Sequence, residues 1–170
     1  MSGLEDLYRE IILDHYRNPR NKGVQETPPA HKTQGMNPLC GDEIDVYLEL
    51  DGTGPDAIVT AVSFGGQGCS ISQSSASMMS SAVKGKTVSE ARRIVRAFKS
   101  MMGIEPTNSV DPALAQADDD AEETLPDQPL VKLGDLEALR GVVKFPVRIK
   151  CATLAWNTMS QGFDDLVSAE

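Results

Sequence analysis

Apolar side chains mark out the elements of this chain before any single residue suggests chemistry. Leu4, Leu7, Tyr8, Ile11, Ile12, His15 and Tyr16 recur at the three-and-four spacing of one helix face. Ser2 followed by Glu5 has the spacing of a capping box, and Asn18-Pro19 stops the helix. From Arg20 to Gly41, Pro28-Pro29, Asn37-Pro38 and scattered Gly and Asn predict an extended loop that delivers Cys40 to the start of a strand. Ile44, Val46, Leu48 and Leu50 then alternate with polar partners. A turn at Asp51–Pro55 leads to Ile58, Val59, Val62 and Phe64, so two antiparallel strands are expected. Gly65-Gly66-Gln67-Gly68 breaks the second strand and leads into Cys69. The following stretch, Ser70–Val83, is crowded with Ser and Ala, whose small side chains let a helix lie close to a sheet.

Gly85 fits the end of that helix, and Thr87 with Glu90 forms a second capping box. Ala91, Ile94, Val95, Phe98, Met101 and Met102 supply the apolar face of the helix it opens, which ends near Gly103. A short helix is predicted over Leu133–Leu139. Pro146 precedes a final helix carrying Cys151, Leu154, Ala155, Met159, Phe163, Leu166 and Val167. No internal repeat interrupts this order, and 170 residues suit one domain spanning 1–170.

Charge changes the picture in one place. The net charge is −9, but residues 105–135 hold nine acids and one base, Lys132, while the remainder carries 15 bases and 16 acids. The acidity therefore describes a segment at about 105–135, rich in Pro and expected to be a solvated loop, rather than the domain. Nucleic acid and membrane surfaces rank low as partners. Lys84, Lys86, Arg92, Arg93, Arg96 and Lys99 form a basic stripe, yet no aromatics interleave it as a nucleic-acid surface would need. The first twenty residues include Glu5, Asp6, Arg9, Glu10 and Asp14 and so contain no apolar core of a signal peptide, which predicts a cytoplasmic protein.

In that reducing setting the three cysteines, Cys40, Cys69 and Cys151, read as buried thiols, metal ligands or a nucleophile. Asp42 lies two positions from Cys40, and in extended backbone such positions share a face. The same Gly-Asp pair also suits an ordinary turn. Cys69 follows a Gly-rich loop at a predicted helix start, where free N–H groups and the dipole favour a thiolate, and Cys151 has Arg148 and Lys150 beside it. Three thiols and Asp42 match the ligand count of tetrahedral zinc or of an iron–sulfur cluster. Gaps of 29 and 82 residues do not match a zinc finger or ribbon, so spacing alone leaves metal and plain burial both open.

Four ordered motifs carry a resemblance: Leu7-Tyr8 to Pro19-Arg20-Asn21; Asn37-Pro38-Leu39-Cys40-Gly41-Asp42; Gly66-Gln67-Gly68-Cys69-Ser70-Ile71-Ser72 with Ser75 to Met79; and Val147-Arg148-Ile149-Lys150-Cys151-Ala152-Thr153-Leu154-Ala155-Trp156. Together they resemble the SufU branch of the U-type iron–sulfur cluster assembly proteins, which are IscU-like and similar to the NifU N-terminal domain. The resemblance covers nearly the whole chain. It implies an α+β fold, a small antiparallel β-sheet with helices packed on one side (the SufE/IscU-like fold). It also implies that Cys40, Asp42, Cys69 and Cys151 hold one Zn2+ ion or anchor a [2Fe–2S] cluster. Cys40 would accept persulfide sulfur from a cysteine desulfurase of the SUF system, a pyridoxal-phosphate enzyme, and pass it to downstream SUF components.

Scaffold members of the family carry a His where this chain has Lys150, and lack the insertion at about 105–135. A protonated lysine cannot serve as the alternate ligand that a histidine offers. Both departures favour zinc-dependent sulfur transfer, a sulfurtransferase-type role, over scaffold assembly of a [2Fe–2S] cluster or a purely structural zinc site. Asp42, less tightly held by zinc than a thiolate, is the candidate exchangeable ligand. Arg148 beside Cys151 suits pairing with a carboxylate or thiolate. His15 is expected to pack with a hydrogen bond and His31 to be solvated in the loop. Ser70, Ser72, Ser74 and Ser75 are expected to serve capping and packing.

Overall fold

A computed structural model describes residues 2–27, 30–38, 41–102 and 134–168. Elements follow in the order α1 (Ser2–Arg17), β1 (His31–Asn37), β2 (Asp42–Asp51), β3 (Ile58–Gln67), α2 (Ser70–Val83), α3 (Val88–Met101) and α4 (Pro146–Ser168). A 3₁₀ turn at Gly54–Asp56 joins β2 to β3, and an 11-residue 3₁₀ segment, Gly134–Lys144, precedes α4. Cys40 and the acidic run Asp118–Glu123 lie outside the described residues, as do the side chains of Ser2 and Glu5.

The sheet has three strands, not two, in the order β1-β2-β3 and antiparallel throughout. The strand missing from the sequence reading is β1, within the stretch expected to be loop, and His31 is its first residue. Its inward positions are Thr33, Gly35 and Asn37, none of which signals a hydrophobic strand face. They are small or polar because α4 lies close above them: a Cβ at Gly35 would run into the Thr158 hydroxyl. A Cβ at Gly162 of α4 would come within 2.9 Å of Thr33 Oγ1. His31 is half-buried, its Nε2 3.3 Å from Asp165 of α4.

A second difference concerns Gly65-Gly66-Gln67, which continue β3 instead of breaking it, pairing with Asp45, Ile44 and Glu43. Gly66 has φ +108° and presses against the Glu43 backbone so closely that only glycine fits. Consequently the strand runs on to the doorstep of Cys69. The outer edge of β3 is closed by segments that are not strands. Asn21 and Gly23 bond to Phe64, and Gly85, Lys86 and Val88 bond to Val59 and Ala57.

Helices cover one face, where Ile44, Val46, Leu48, Val62 and Phe64 are buried beneath α2 and α4. Trp156 of α4 stacks on Phe98 of α3 with ring centroids 4.4 Å apart. Each such aromatic side chain contributes roughly 1.5–3 kcal/mol on burial. The Trp156 indole N–H donates to Ser75 Oγ, which donates in turn to the Ala152 carbonyl, so the small polar face of α2 is bonded directly to α4. The Thr87/Glu90 capping box forms as expected, with both bonds at 3.1 Å. Along α1, Tyr8, Ile11, Ile12 and His15 turn inward, whereas Leu7 and Tyr16, expected on the same face, are exposed. Among the described residues no helix is long and apolar enough to cross a membrane.

Candidate metal centre

Three of the four expected ligands converge. Asp42 Oδ, Cys69 Sγ and Cys151 Sγ all lie within 4.8 Å of one another, each delivered by a different element. Tetrahedral zinc with ~2.3 Å bonds to sulfur needs ligand atoms about 3.7 Å apart, so a modest contraction would close the set. The fourth, Cys40, precedes Asp42 by two positions in the link between β1 and β2, outside the described residues.

Each position has a local cause. Asn37 and Asp42 are register partners, the last residue of β1 opposite the first of β2, so both are drawn inward beneath α4. Cys69 is the N-cap residue of α2, with its sulfur 3.4 Å from the Ser72 N–H it accepts from. A thiol here takes the place of the usual capping hydroxyl and meets the positive end of the helix. Cys151 is fully buried on the second turn of α4. The Asn37 amide donates to its sulfur at 3.9 Å, and Cys151 Sγ faces the Val147 carbonyl at 3.9 Å.

The chemistry of Asp42 is the clearest pointer to a ligand. Its side chain is 1% exposed; Oδ1 accepts the Cys69 backbone N–H at 3.0 Å, while Oδ2 has no hydrogen-bond partner among the described residues. A buried carboxylate oxygen without a partner costs more than the ~1–3 kcal/mol of a neutral group. Coordination to a cation removes that cost, and two sulfurs and one oxygen are a donor set that suits zinc. The residues present therefore fit the metal implied by the sequence.

Arg148, on the exposed rim, faces both sulfurs. The Cys69 sulfur first, by charge and hydrogen bond, and Cys151 after it hold the guanidinium above its ordinary pKa. Sequence reasoning placed Arg148 beside Cys151 but could not see that Cys69 would be its stronger partner. Lys150 is exposed. The contact of Asn37 with Cys151 was missed, because a polar residue before a proline reads as a turn signal. Ser75 serves packing as expected, and Ser74 donates to the Ser70 carbonyl at 2.6 Å.

A second constellation escaped the sequence reading. His15 lies 3% exposed between Ser77 Oγ, 2.8 Å from Nδ1, and Asp135 Oδ2, 2.9 Å from Nε2. It has the membership of a hydrolytic triad without the access. Ser77 is fully buried, and its oxygen already accepts the Arg20 N–H at 2.8 Å. This chain ties α1, α2 and the 3₁₀ segment together, the packing role expected for His15.

The NifU-like N-terminal domain family matches residues 7–167. The zinc-dependent sulfurtransferase SufU of Bacillus subtilis (strain 168) is 43% identical over 162 residues, covering 95% of this chain and 92% of its own. The iron–sulfur cluster assembly scaffold protein IscU of Streptococcus pyogenes serotype M1 is 33% identical over 170 residues, covering 100% of this chain and 91% of its own. A crystal structure from Fervidobacterium islandicum AW-1, described as a candidate scaffold protein for the SUF system, superposes with a TM-score of 0.65 at 29% identity. It covers 91% of this chain and 94% of that one.

Proposed function

The chain belongs to the NifU-like N-terminal domain family, and from that membership we propose that it accepts persulfide sulfur from a cysteine desulfurase on Cys40 and passes it into iron–sulfur cluster assembly. In this reading Cys40, Asp42, Cys69 and Cys151 hold Zn2+. The observation that carries it is the meeting of Asp42, Cys69 and Cys151 from three separate elements around a carboxylate oxygen left without a partner. The likeness to the Bacillus zinc-dependent sulfurtransferase supports zinc as the metal.

Zinc held there would keep the thiolates deprotonated near neutral pH and, lacking redox activity, leave sulfur transfer as plain thiol–disulfide exchange. Cys40, as a thiolate, would attack the outer sulfur of the desulfurase persulfide. One S–S bond forms on Cys40 as the other breaks, and the enzyme's cysteine leaves as thiolate with no net oxidation. Asp42, anchored through Oδ1, keeps Oδ2 for the metal. Arg148 supplies positive charge at the rim, where the incoming persulfide is anionic. Val143, Phe145 and Val147, all exposed along the approach to α4, offer that enzyme an apolar surface. The cytoplasm, where thiols stay reduced, suits this chemistry.

Incubation with a cysteine desulfurase and cysteine, followed by mass spectrometry, tests the assignment. Added sulfur should appear on Cys40 alone, and a Cys40→Ala variant that still accelerates the desulfurase would refute it. The scaffold reading has its own support in the Streptococcus relative. Under it, protein purified anaerobically carries iron, sulfide and visible absorption in place of zinc.

A further inference from the structure

The glycine ahead of Cys69 is not demanded by its own backbone. Gly66 adopts φ +108°, but Gly68 has a φ outside the left-handed range, where any residue could sit. Its surroundings give a different reason. A Cβ at Gly68 would lie 2.8 Å from Asp42 Oδ1, 3.2 Å from Asp42 Cγ and 3.0 Å from Ser72 Oγ. Ser72 can swing its hydroxyl aside. Asp42 cannot yield cheaply, since it is buried and its Oδ1 is pinned to the N–H of the very next residue, Cys69.

Ser72 adds an independent observation. Its side chain is 1% exposed and its Oγ has no hydrogen-bond partner among the described residues, yet it converges on the same spot as the carboxylate. Its backbone N–H meanwhile faces the Cys69 sulfur. A buried hydroxyl left unpaired beside a carboxylate is an available donor.

We propose that Gly68 and Ser72 form a seat for the Asp42 carboxylate: Gly68 by the space it leaves and Ser72 by the hydroxyl it holds against that space. The seat keeps Oδ1 on the Cys69 N–H and presents Oδ2 alone, so that Asp42 is a one-oxygen ligand. Gly68 is thus a positioning residue that touches no metal. The inference deepens the metal-centre reading and rests on it for its consequence, but the seat itself is a property of the metal-free fold.

The test reads the seat and the metal separately. In 15N-labelled, zinc-free protein, Gly68→Ala should move the Cys69 amide resonance upfield by the displacement that Asp42→Ala causes, because both remove the same hydrogen bond. Zinc affinity, measured by competition with a chromophoric chelator, should fall about 10- to 100-fold in Gly68→Ala, the range for loss of a residue that orients a ligand. In an Asp42→Ala background the same substitution should cost less than about twofold, since the clash has no partner left. If Gly68→Ala does not fold, a folded Asp42→Ala/Gly68→Ala double variant supports the same conclusion. A Cys69 amide unmoved in Gly68→Ala, an equal zinc loss in both backgrounds, or failure of both variants to fold would overturn the proposal. Wild-type protein that takes no zinc, with the amide result intact, would instead refute the metal reading and leave the seat standing.

Discussion

Helix α2 lies against two polar clusters, one buried and one that reaches the surface at Asp135, and they follow opposite rules. At its N-terminal end Asp42, Cys69 and Cys151 gather, with Asp42 Oδ2 and Ser72 Oγ lacking partners among the described residues. Two turns further on, His15, Ser77 and Asp135 form a chain in which every donor has a place. The Arg20 N–H gives to Ser77, the Ser77 hydroxyl faces His15, and His15 faces Asp135, with Ser80 tying the same segment through the Arg20 carbonyl. Residue types alone would favour the second as a catalytic site. The hydrogen-bond inventory reverses that judgement, because a satisfied network has little left to offer a ligand, while an unsatisfied one carries a cost that a bound ligand can remove.

The comparison breaks most sharply if the clusters can be disabled one at a time. Cys69→Ala should lower zinc affinity about 10²- to 10³-fold, since four ligands share an apparent ~10–16 kcal/mol. Unfolding of the metal-free protein should change by no more than the ~1 kcal/mol of a lost helix cap. His15→Ala should do the reverse, costing about 2–3 kcal/mol through a cavity and an orphaned Ser77, or about 5–10 °C in Tm for a domain of this size. Chelator competition and thermal melts on both variants measure the contrast. A zinc defect in His15→Ala comparable to that of Cys69→Ala would show that the clusters are one unit.

Asp42→Asn sharpens the contrast by predicting a gain. Asparagine keeps an oxygen for the Cys69 N–H but removes a buried charge whose second oxygen has no partner. The metal-free protein should become more stable by about 1–2 kcal/mol while zinc affinity falls, the trade expected where function maintains an unsatisfied group. Urea unfolding in the presence of a chelator reads it. A loss of stability would mean that the carboxylate is satisfied in solution.

How much of this was legible depended on how far apart the partners lie. The helices announced themselves by period and capping box, and Cys69 was readable as a helix-start thiol from the glycines before it and the Ser/Ala run after it, although Gly65 to Gln67 belong to β3 and form no turn. Strand β1 was not, since α4 demands small or polar residues at Thr33, Gly35 and Asn37 and so erases the hydrophobic alternation a strand normally shows. The His15 chain was equally hidden, its partners lying 62 and 120 positions away. Asp42 was found with Cys40 by spacing and family likeness, but the seat around it needed Gly68 and Ser72, whose meaning appears only once β2 and α2 are side by side.

The smallest expected effect lies at the rim of the closed cluster. Arg20, whose N–H serves Ser77, also gives its guanidinium to Asp14 at 2.7 Å. That bond first, with help from Asn18, holds the exposed Asp14 carboxyl below its ordinary pKa of 3.8. A carboxyl with a lowered folded-state pKa contributes stability that is complete above the unfolded value and disappears as pH falls through the folded one. Wild type and Asp14→Asn should therefore differ slightly but constantly in denaturant midpoint above that value and converge as the pH drops beneath it. Salt should shrink the gap, as it does for any exposed pair. Zinc affinity at neutral pH should be the same in both. A gap that persisted below the folded pKa would place the role of Asp14 in packing instead of charge, and a zinc defect would mean that the rim of the closed cluster reaches the open one.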